Sequence, residues 1–379
     1  MPSKNIVYLA IELSVTSWLI GARLSGTEKV RLHRVDGGNT GALVALIEEL
    51  RSRASSKLSG AAEVACCLEA GRDGFWLHRL LTAHGFAAYV LEPTSILVNR
   101  RKRRAKTDRL DAEGMLHVLA AWLGGDRRVC SMVRVPTPAE EDAKRPHRER
   151  GHLVQEKLRI ENRIEALLFT QGIRGRPSLR SWERDMAELR TGDGRAVPPS
   201  LRAELDRLRR RLVLTLELIR ELEADRAKVM GEARTADMMV GKIIALQHIY
   251  GIGENFAAVL GREVFYRSFS NRRQLASYVG ITPMPYQSGG KDRDRGISRA
   301  GNPRARTTMI QLAWLWLRYQ PDSPLATWFR ERVGRLRGRT RRIAIVALAR
   351  KLLIALWRYV ETGVVPDGIV LRATPAANA

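Results

Sequence analysis

The sequence predicts an α/β layer fold in its N-terminal part, a long helical middle and a mainly helical C-terminal region. Continuous apolar runs at 6–11 (IVYLAI) and 64–68 (VACCL) are typical of buried strands. Segments with helical spacing alternate with such runs, and glycines and prolines separate them. Farther along, residues 201–239 keep apolar residues at helical spacing throughout, with charges of both signs between them.

The elements follow from these patterns in chain order. Strands are predicted at five places, 6–11, 17–23, 30–35, 64–68 and 87–91. Helices are predicted at 42–53, 72–83, 107–123 (with Thr107 as N-cap), 153–169, 201–239 and from Pro303 to about 319. The patterns divide the chain into three domains, 1–130, 131–242 and 243–379.

Two connecting segments and one helix have less definite interpretations. Residues 136–150 read as a linker or as the start of a helix, and the Gly/Pro-rich 172–199 reads as irregular. The helix 201–239 is either a scaffold helix or a coiled-coil-like dimerisation arm. We favour a role in forming a homo-oligomer.

Composition indicates the class of partner. The chain has 65 Lys and Arg against 40 Asp and Glu, a formal charge of +25, which is best explained by a polyanionic partner such as DNA or RNA. Cys66, Cys67 and Cys130 fit neither a disulfide framework nor zinc spacing, and they read as buried thiols of a reducing cytosol. With no signal-peptide pattern and no run long enough for a bilayer, we expect a cytoplasmic protein without a membrane partner.

Four acidic residues lie where carboxylates are costly. Glu12 and Glu69 each end a buried apolar run, and an unpaired buried carboxylate costs several kcal/mol. Asp108 and Asp111 lie three residues apart and face the apolar side of helix 107–123. Four carboxylates that converge repel one another unless a cation lies between them, and Mg²⁺ or Mn²⁺ prefers such ligands. A two-metal phosphodiester site is one interpretation, and separate structural ion pairs are the other.

The C-terminal region combines glycines with basic residues. Ile249 to Gly253 (IYGIG) resembles a helix–hairpin–helix turn, in which Gly251 and Gly253 would let backbone N–H groups hold a phosphate. Residues 285–302 (PYQSGGKDRDRGISRAGN) place Ser288 before two glycines and near several cations. A serine in such a turn is usually a turn former, although exposure and nearby cations also suit a nucleophile that attacks phosphorus.

The basic residues predicted to contact nucleic acid cluster at three places along the chain. A run with little acid favours phosphate contacts over a solvated face. These residues are Arg100, Arg101, Lys102, Arg103, Arg104 and Lys106, then Lys291, Arg293, Arg295, Arg299, Arg304 and Arg306, and finally Arg335, Arg337, Arg339 and Arg341.

The segments LAIELS, CCLEAGRDGFWLHRLL and KTDRLDAEGM resemble the acidic motifs of DEDD-type transposases of bacterial insertion sequences. Residues 272–302 resemble the C-terminal domain of the same transposases, which are related to RNA-guided bridge recombinases. The resemblance implies a ribonuclease H-like (RuvC-like) N-terminal domain and places the family's acids at Glu12, Glu69, Asp108 and Asp111. It places the serine that joins to DNA at Ser288. Glu12 departs from the family, which usually has aspartate there.

The resemblance also implies the partners. These are DNA of the element ends and target, a structured RNA made by the element, and further copies of the chain in a dimer or tetramer. Acids from one subunit and serine from another would form a composite Mg²⁺-dependent site on a protein associated with the bacterial nucleoid.

Three functions are therefore open from the sequence. The favoured one is a transposase or recombinase that cuts and rejoins DNA through a phosphoserine link. The second is a metal-dependent, structure-selective nuclease that uses water and the same acids. The third is a catalytically inactive nucleic-acid-binding relative, for which Glu12 in place of aspartate is the supporting feature.

Overall fold

The computed structural model describes residues 5–96, 108–232, 238–288, 291–335 and 337–372, apart from the side chains of residues 94, 285–288 and 291–295. Contacts divide the chain into two compact units, Met1–Thr137 and Pro138–Ala379. The predicted middle and C-terminal regions thus lie together in the second unit.

A five-stranded mixed sheet is the centre of the first unit, as the α/β prediction requires. Its strands are β1 (Ile6–Leu13), β2 (Ser17–Leu24), β3 (Arg31–Asp36), β4 (Glu63–Glu69) and β5 (Ala87–Leu91). The order is β3-β2-β1-β4-β5, with β1, β4 and β5 parallel and the two hairpin pairs antiparallel. The helices of this unit are α1 (Thr40–Lys57), α2 (Gly74–Ala83) and α3 (Asp108–Leu123), and Pro93–Ser95 form one 3₁₀ turn.

Side-chain alternation along the strands gives the sheet two apolar faces. Leu9 and Ile11 belong to the core that also contains Leu43 of α1 and Leu77 of α2. Ala10 and its neighbours face the other way and pack with the buried residues of α3. Because period-2 alternation decides which face each residue joins, both buried faces can be read from the apolar runs.

In the part of the second unit that the structure describes, the helices are accompanied by one pair of strands. Its elements are α4 (Pro138–Asp142), α5 (Arg145–Phe169), α6 (Trp182–Glu188), α7 (Pro199–Glu232), α8 (Met238–His248), α9 (Glu254–Leu260), a π-helical turn (Gly261–Phe265), α10 (Arg272–Val279), β6 (Pro283–Ser288), β7 (Lys291–Ile297), α11 (Pro303–Tyr319), α12 (Pro324–Val333) and α13 (Arg339–Thr362).

Three predictions for this unit need correction or refinement. Residues 136–150 are mostly helical, so the helix-start interpretation was the better one. The segment predicted to be irregular contains α6, which forms because Trp182 is buried and donates from its indole N–H to Asp206 Oδ1 at 2.7 Å. The predicted helix 201–239 is described as α7 up to Glu232 and as α8 from Met238.

Helices α5 and α7 pack against each other through their apolar faces. Ile160, Ile164 and Leu168 form a core with Leu205 and Leu212. Because α7 packs its apolar face within the chain, the structure agrees with the scaffold interpretation of this helix. A role of α7 in forming an oligomer stays a prediction. Among the described residues, no helix is long and apolar enough to cross a membrane.

Candidate functional site

Glu12 and Glu69 lie side by side at one edge of the sheet. Strands β1 and β4 run parallel with Ile11 opposite Leu68, so the two acids are the next pair along the same ladder. Neighbouring strands are about 4.8 Å apart, and parallel strands end at the same edge. The two backbones therefore bring the two half-buried carboxylates close together at the C-terminal edge of the parallel strands.

Both acids lie on the face of the sheet that α3 covers. Ala10 and Cys67, two residues earlier on each strand, pack in the core shared with α3. Alternation then places Glu12 and Glu69 on that same face. Glu12 and Glu69 are both half-buried at this corner of the core.

Helix α3 begins near this edge and runs in the direction opposite to β1. Near its middle, the guanidinium group of Arg23 lies 3.5 Å from the carbonyl oxygen of Leu116, and Arg23 pairs with Tyr8. One turn earlier in α3, Ala112 lies next to Gly21, and Gly21 pairs with Ala10 of β1. A side chain at Gly21 would meet Leu116 and Ala112 at 3.2 and 3.4 Å, so this close packing depends on glycine.

The first turn of α3 carries the other two acids toward the same edge. Asp108 is exposed and Asp111 is half-buried, next to the buried Ala112. On the outer side of the helix, Arg109 forms an ion pair with Glu113 at 3.0 Å, as the helical spacing predicts. Both aspartates also complement the helix dipole.

The four acids share an edge without forming a metal-binding cluster. In the part of the chain that the structure describes, no three Asp, Glu, His or Cys side chains are close enough together to hold a metal ion. The chemistry of the donor set nevertheless suits Mg²⁺ or Mn²⁺, which prefer carboxylate oxygen. Side-chain rotation would have to bring the acids together around a cation.

Cys66, Cys67 and Cys130 are buried free cysteines, as the sequence predicted. Burial raises the pKa of Cys66 to about 12, and burial followed by the neighbouring thiols and Glu69 raises the pKa of Cys67. These raised pKa values favour the protonated thiols.

Ser288 is the last residue of β6 and pairs with Lys291, the first residue of β7. Two glycines connect these antiparallel strands, and they lie outside the described residues. Arg293 and Arg295 follow on β7, although only the backbone of this hairpin is described. The sequence predicted a glycine-rich turn here but not the strands on either side of it.

A buried carboxylate that the sequence analysis missed lies in the same unit. Glu263 is 1% exposed and belongs to the π-helical turn. Arg148 donates to both of its oxygens, from Nε at 2.6 Å and from Nη2 at 2.9 Å. His147 Nε2 lies 2.9 Å from Oε1, and Asn302 Nδ2 donates to Oε2 at 3.1 Å. An acid inside the apolar segment 257–266 was the available signal, and it is the same signal that pointed to Glu12.

The predicted helix–hairpin–helix turn joins α8 to α9. Gly251 has φ of +92°, and a Cβ added there would lie 2.6 Å from Tyr319 Cβ, so packing explains this glycine. The Tyr250 N–H donates to the carbonyl oxygen of Val370 at 3.0 Å. A phosphate contact at Gly251 or Gly253 stays a prediction.

The predicted nucleic-acid residues differ in their surroundings. Arg335, Arg337, Arg339 and Arg341 are exposed near the start of α13, and the Arg341 guanidinium lies 5.0 Å from the ring centroid of Trp314. Others lie near the hairpin base, where Arg299 is exposed. The side chains of Lys291, Arg293 and Arg295 lie outside the described part of the structure. The same holds for the whole of Arg100, Arg101, Lys102, Arg103, Arg104 and Lys106.

Arg304 and Arg306 have contacts within the fold. Arg306 donates from Nη1 to the carbonyl oxygen of Arg299 at 2.8 Å. Arg304 Nε lies 3.8 Å from Glu263 Oε1, in the buried network described above. Both side chains are half-buried, so their contacts within the fold compete with the predicted contacts to nucleic acid.

Comparison with known proteins gives consistent matches. Residues 244–326 match the family described as Transposase IS116/IS110/IS902. The chain is 45% identical over 374 residues to the y4rJ protein of Sinorhizobium fredii, which is named as a candidate transposase, and the match covers 97% of this chain and 94% of that protein. It is 28% identical over 240 residues to the transposase for insertion sequence element IS1328 of Yersinia enterocolitica, which covers 60% of this chain and 66% of the relative.

Proposed function

Since this chain belongs to the IS116/IS110/IS902 transposase family and is an enzyme that acts on DNA in transposition, we propose that it cuts and rejoins DNA strands through a covalent phosphoserine intermediate. The serine is Ser288, and the acids are Glu12, Glu69, Asp108 and Asp111. The N-terminal unit then has the ribonuclease H-like role that the sequence resemblance implies.

The observation that carries this proposal is the register of β1 and β4. This register supports an acidic site because it sets Glu12 beside Glu69 at one edge of the sheet. The first turn of α3, with Asp108 and Asp111, lies near the same edge. Carboxylates from three separate segments lie along this edge, and they would have to turn toward one another to hold the hard cations that phosphate chemistry uses. Glu12 is one methylene longer than aspartate, and its place next to Glu69 is compatible with a ligand role.

The proposed reaction exchanges one phosphodiester for another. The hydroxyl of Ser288 loses its proton as its oxygen attacks a DNA phosphorus, and the bond from that phosphorus to the 3′ oxygen breaks. The 3′ oxygen takes up a proton, which leaves a phosphoserine link and a free 3′-OH. In the reverse reaction, a 3′-OH attacks the phosphorus of the phosphoserine link, the bond from phosphorus to the serine oxygen breaks, and the serine hydroxyl regains a proton. The DNA strand is resealed, and no high-energy cofactor is consumed.

The acidic edge and the basic residues divide the remaining work. Mg²⁺ or Mn²⁺ held by the four acids would supply Lewis-acid stabilisation of charge on the phosphate. Lys291, Arg293 and Arg295, on the strand next to Ser288, would bind the DNA backbone near the serine. The exposed arginines at 335–341 would bind phosphates of DNA or of an element-encoded guide RNA, and a homo-oligomer would bring acids and serine together from different subunits.

The test of the serine is a trapped DNA–protein species. Wild-type protein incubated with element-end DNA and Mg²⁺ should yield a complex that survives denaturation, and Ser288→Ala should yield none while it still binds DNA. Ser270→Ala, an exposed serine of the same unit, is the matched control and should behave as wild type. Cleaved DNA without any such complex would indicate a nuclease that uses water.

The acids are tested by strand cleavage. Glu69→Gln and Asp111→Asn should each lower cleavage by about 10²–10³-fold, the usual effect of removing one electrostatic contact to a transition state. Glu113→Gln changes a carboxylate on the outer side of the same helix and should stay near the wild-type rate. Wild-type rates in Asp111→Asn would remove α3 from the active site.

A further inference from the structure

The buried network around Glu263 connects directly to the segment that carries Ser288. Asn302 caps α11 with Oδ1, which accepts from the N–H groups of Arg304 and Ala305, each at 3.1 Å. The Nδ2 group of the same side chain donates to Glu263. The start of α11, where the segment 280–302 ends, is therefore bonded to the buried carboxylate.

The other end of that segment is bonded to the same residue. Tyr278, in the last turn of α10, donates from its hydroxyl to the carbonyl oxygen of Glu263 at 2.9 Å. Glu263 thus contacts the residues on both sides of the β6–β7 hairpin. π-Helical turns such as the one that holds it occur frequently at functional sites.

Tight backbone contacts close the base of the hairpin. The Asn302 N–H donates to the Tyr278 carbonyl at 2.8 Å, and the Arg299 N–H donates to the Gly280 carbonyl at 3.2 Å. A Cβ at Gly280 would lie only 2.2 Å from the Ala300 carbonyl oxygen, and Gly280 has φ of +76°. These contacts connect the residues that precede β6 to those that follow β7, so they define the base of the hairpin.

The charge balance shows why a carboxylate is needed at this place. Burial opposes ionisation of Glu263, but hydrogen bonds from His147 and Arg148 outweigh it and hold the pKa of Glu263 well below its ordinary value. An ionised carboxylate only accepts hydrogen bonds, so His147 Nε2 and Asn302 Nδ2 must both donate to it. Whichever oxygen an amide nitrogen replaced, its N–H₂ group would face an N–H of Arg148, which has no lone pair to offer.

We propose that Glu263 is a positioning residue for strand transfer: held by Arg148 and His147, it fixes the base of the β6–β7 hairpin through Asn302 and Tyr278, and so sets the path along which Ser288 meets DNA. This inference rests on the proposed role of Ser288. Glu263 is buried, and the role proposed for it is to hold the hairpin base rather than to contact DNA or the reacting atoms.

The experiment uses two variants of the full chain and one control. Glu263→Gln keeps the shape and removes the charge. Asn302→Ser keeps an N-cap for α11 but is too short to reach the carboxylate, so it spares the rest of the network. Glu254→Gln, which removes the charge of an exposed carboxylate that pairs with Arg226, is the matched control.

Two readouts are taken on each protein. The first is hydrogen exchange of the backbone amides at the hairpin base, and the second is the rate of DNA–protein adduct formation at saturating DNA alongside the affinity for DNA. In both variants, hydrogen exchange of these amides should be at least about tenfold faster than in wild type, and the adduct should form at least about tenfold more slowly. Loss of a hydrogen bond to a charged group accounts for changes of this size. DNA affinity and the control should stay within about twofold of wild type, a change of less than 0.5 kcal/mol.

The outcomes separate this inference from the proposed function. Unchanged exchange in Asn302→Ser, or faster exchange with a wild-type adduct rate, would overturn the positioning role. If wild-type protein itself forms no adduct, the phosphoserine mechanism fails. The exchange data then still decide whether Glu263 holds the hairpin base.

Discussion

Replacing Arg148 with methionine should destabilise the second unit by about 3 kcal/mol. The change removes two hydrogen bonds, of 2.6 and 2.9 Å, from a carboxylate that is only 1% exposed. Breaking a buried pair in this way costs about 3–5 kcal/mol. The lower end applies because the Arg148 side chain is 46% exposed and other donors to Glu263 remain.

Thermal unfolding of the full chain at pH 7 measures this loss. For a unit of this size, about 3 kcal/mol corresponds to a fall in Tm of roughly 6–12 °C. Arg145→Met is the matched control in the same helix. Its side chain forms an exposed ion pair with Asp142, and such pairs contribute about 0–1 kcal/mol.

The stabilities of wild type and Arg148→Met should converge at acid pH. Because the folded-state pKa of Glu263 lies below its ordinary value of 4.5, its contribution to stability is complete above pH 4.5 and is lost as the pH falls below that value. In Arg148→Met the pKa of Glu263 is depressed less, so this variant loses less stability on acidification. Burial lowers the pKa of His147, which adds a loss of stability below pH 6.5 in both proteins.

Two results would refute this reasoning. One is an Arg148→Met variant no less stable than Arg145→Met at pH 7. The other is a difference in Tm from wild type that stays constant or grows between pH 6 and pH 3. The double variant Arg148→Met/Glu263→Gln provides a further check, since removing the uncompensated charge should recover part of the lost stability.

Other predictions concern single glycines and the basic surface. Gly114→Ala, in an exposed turn of α3 with open space around it, should raise stability by about 0.5–1 kcal/mol in chemical denaturation. Gly74→Ala would place a Cβ 2.7 Å from the Glu69 carbonyl oxygen and should cost about 1–3 kcal/mol in the same assay, with slower DNA cleavage. Gly251→Ala, at φ of +92°, should lower stability by at least about 1 kcal/mol. Arg341→Ala should reduce the slope of log affinity for DNA against log salt by about one, measured by titration at several salt concentrations.

The first unit was predictable because its central strands, β1 and β4, are largely buried on both faces. Such strands form continuous apolar runs, and all five predicted strands lie within three residues of β1 to β5 at either end. The acids at 12 and 69 stood out because each ends a run of apolar residues with a carboxylate. Their adjacency could not be read from the sequence, since it depends on which strands pair and in what register.

The hairpin around Ser288 shows where sequence patterns fail. Its strands, PMPYQS and KDRDRGI, have neither apolar alternation nor enrichment in β-branched residues. The sequence therefore indicated only the short glycine-containing connection between them. Glu263 shows another limit. Its partners Arg148 and Asn302 are distant in the chain, and only folding of the second unit brings all three together.

The most direct measurement identifies the residue bonded to DNA. Wild-type protein is incubated with element-end DNA and Mg²⁺, denatured and digested, and the nucleotide-bearing peptide is sequenced by mass spectrometry. The expected result is a phosphodiester link to Ser288 that is absent without divalent cation and in Glu69→Gln. Cleaved DNA with no linked peptide, or a link to any other residue, would contradict a serine that acts together with the acidic edge of the sheet.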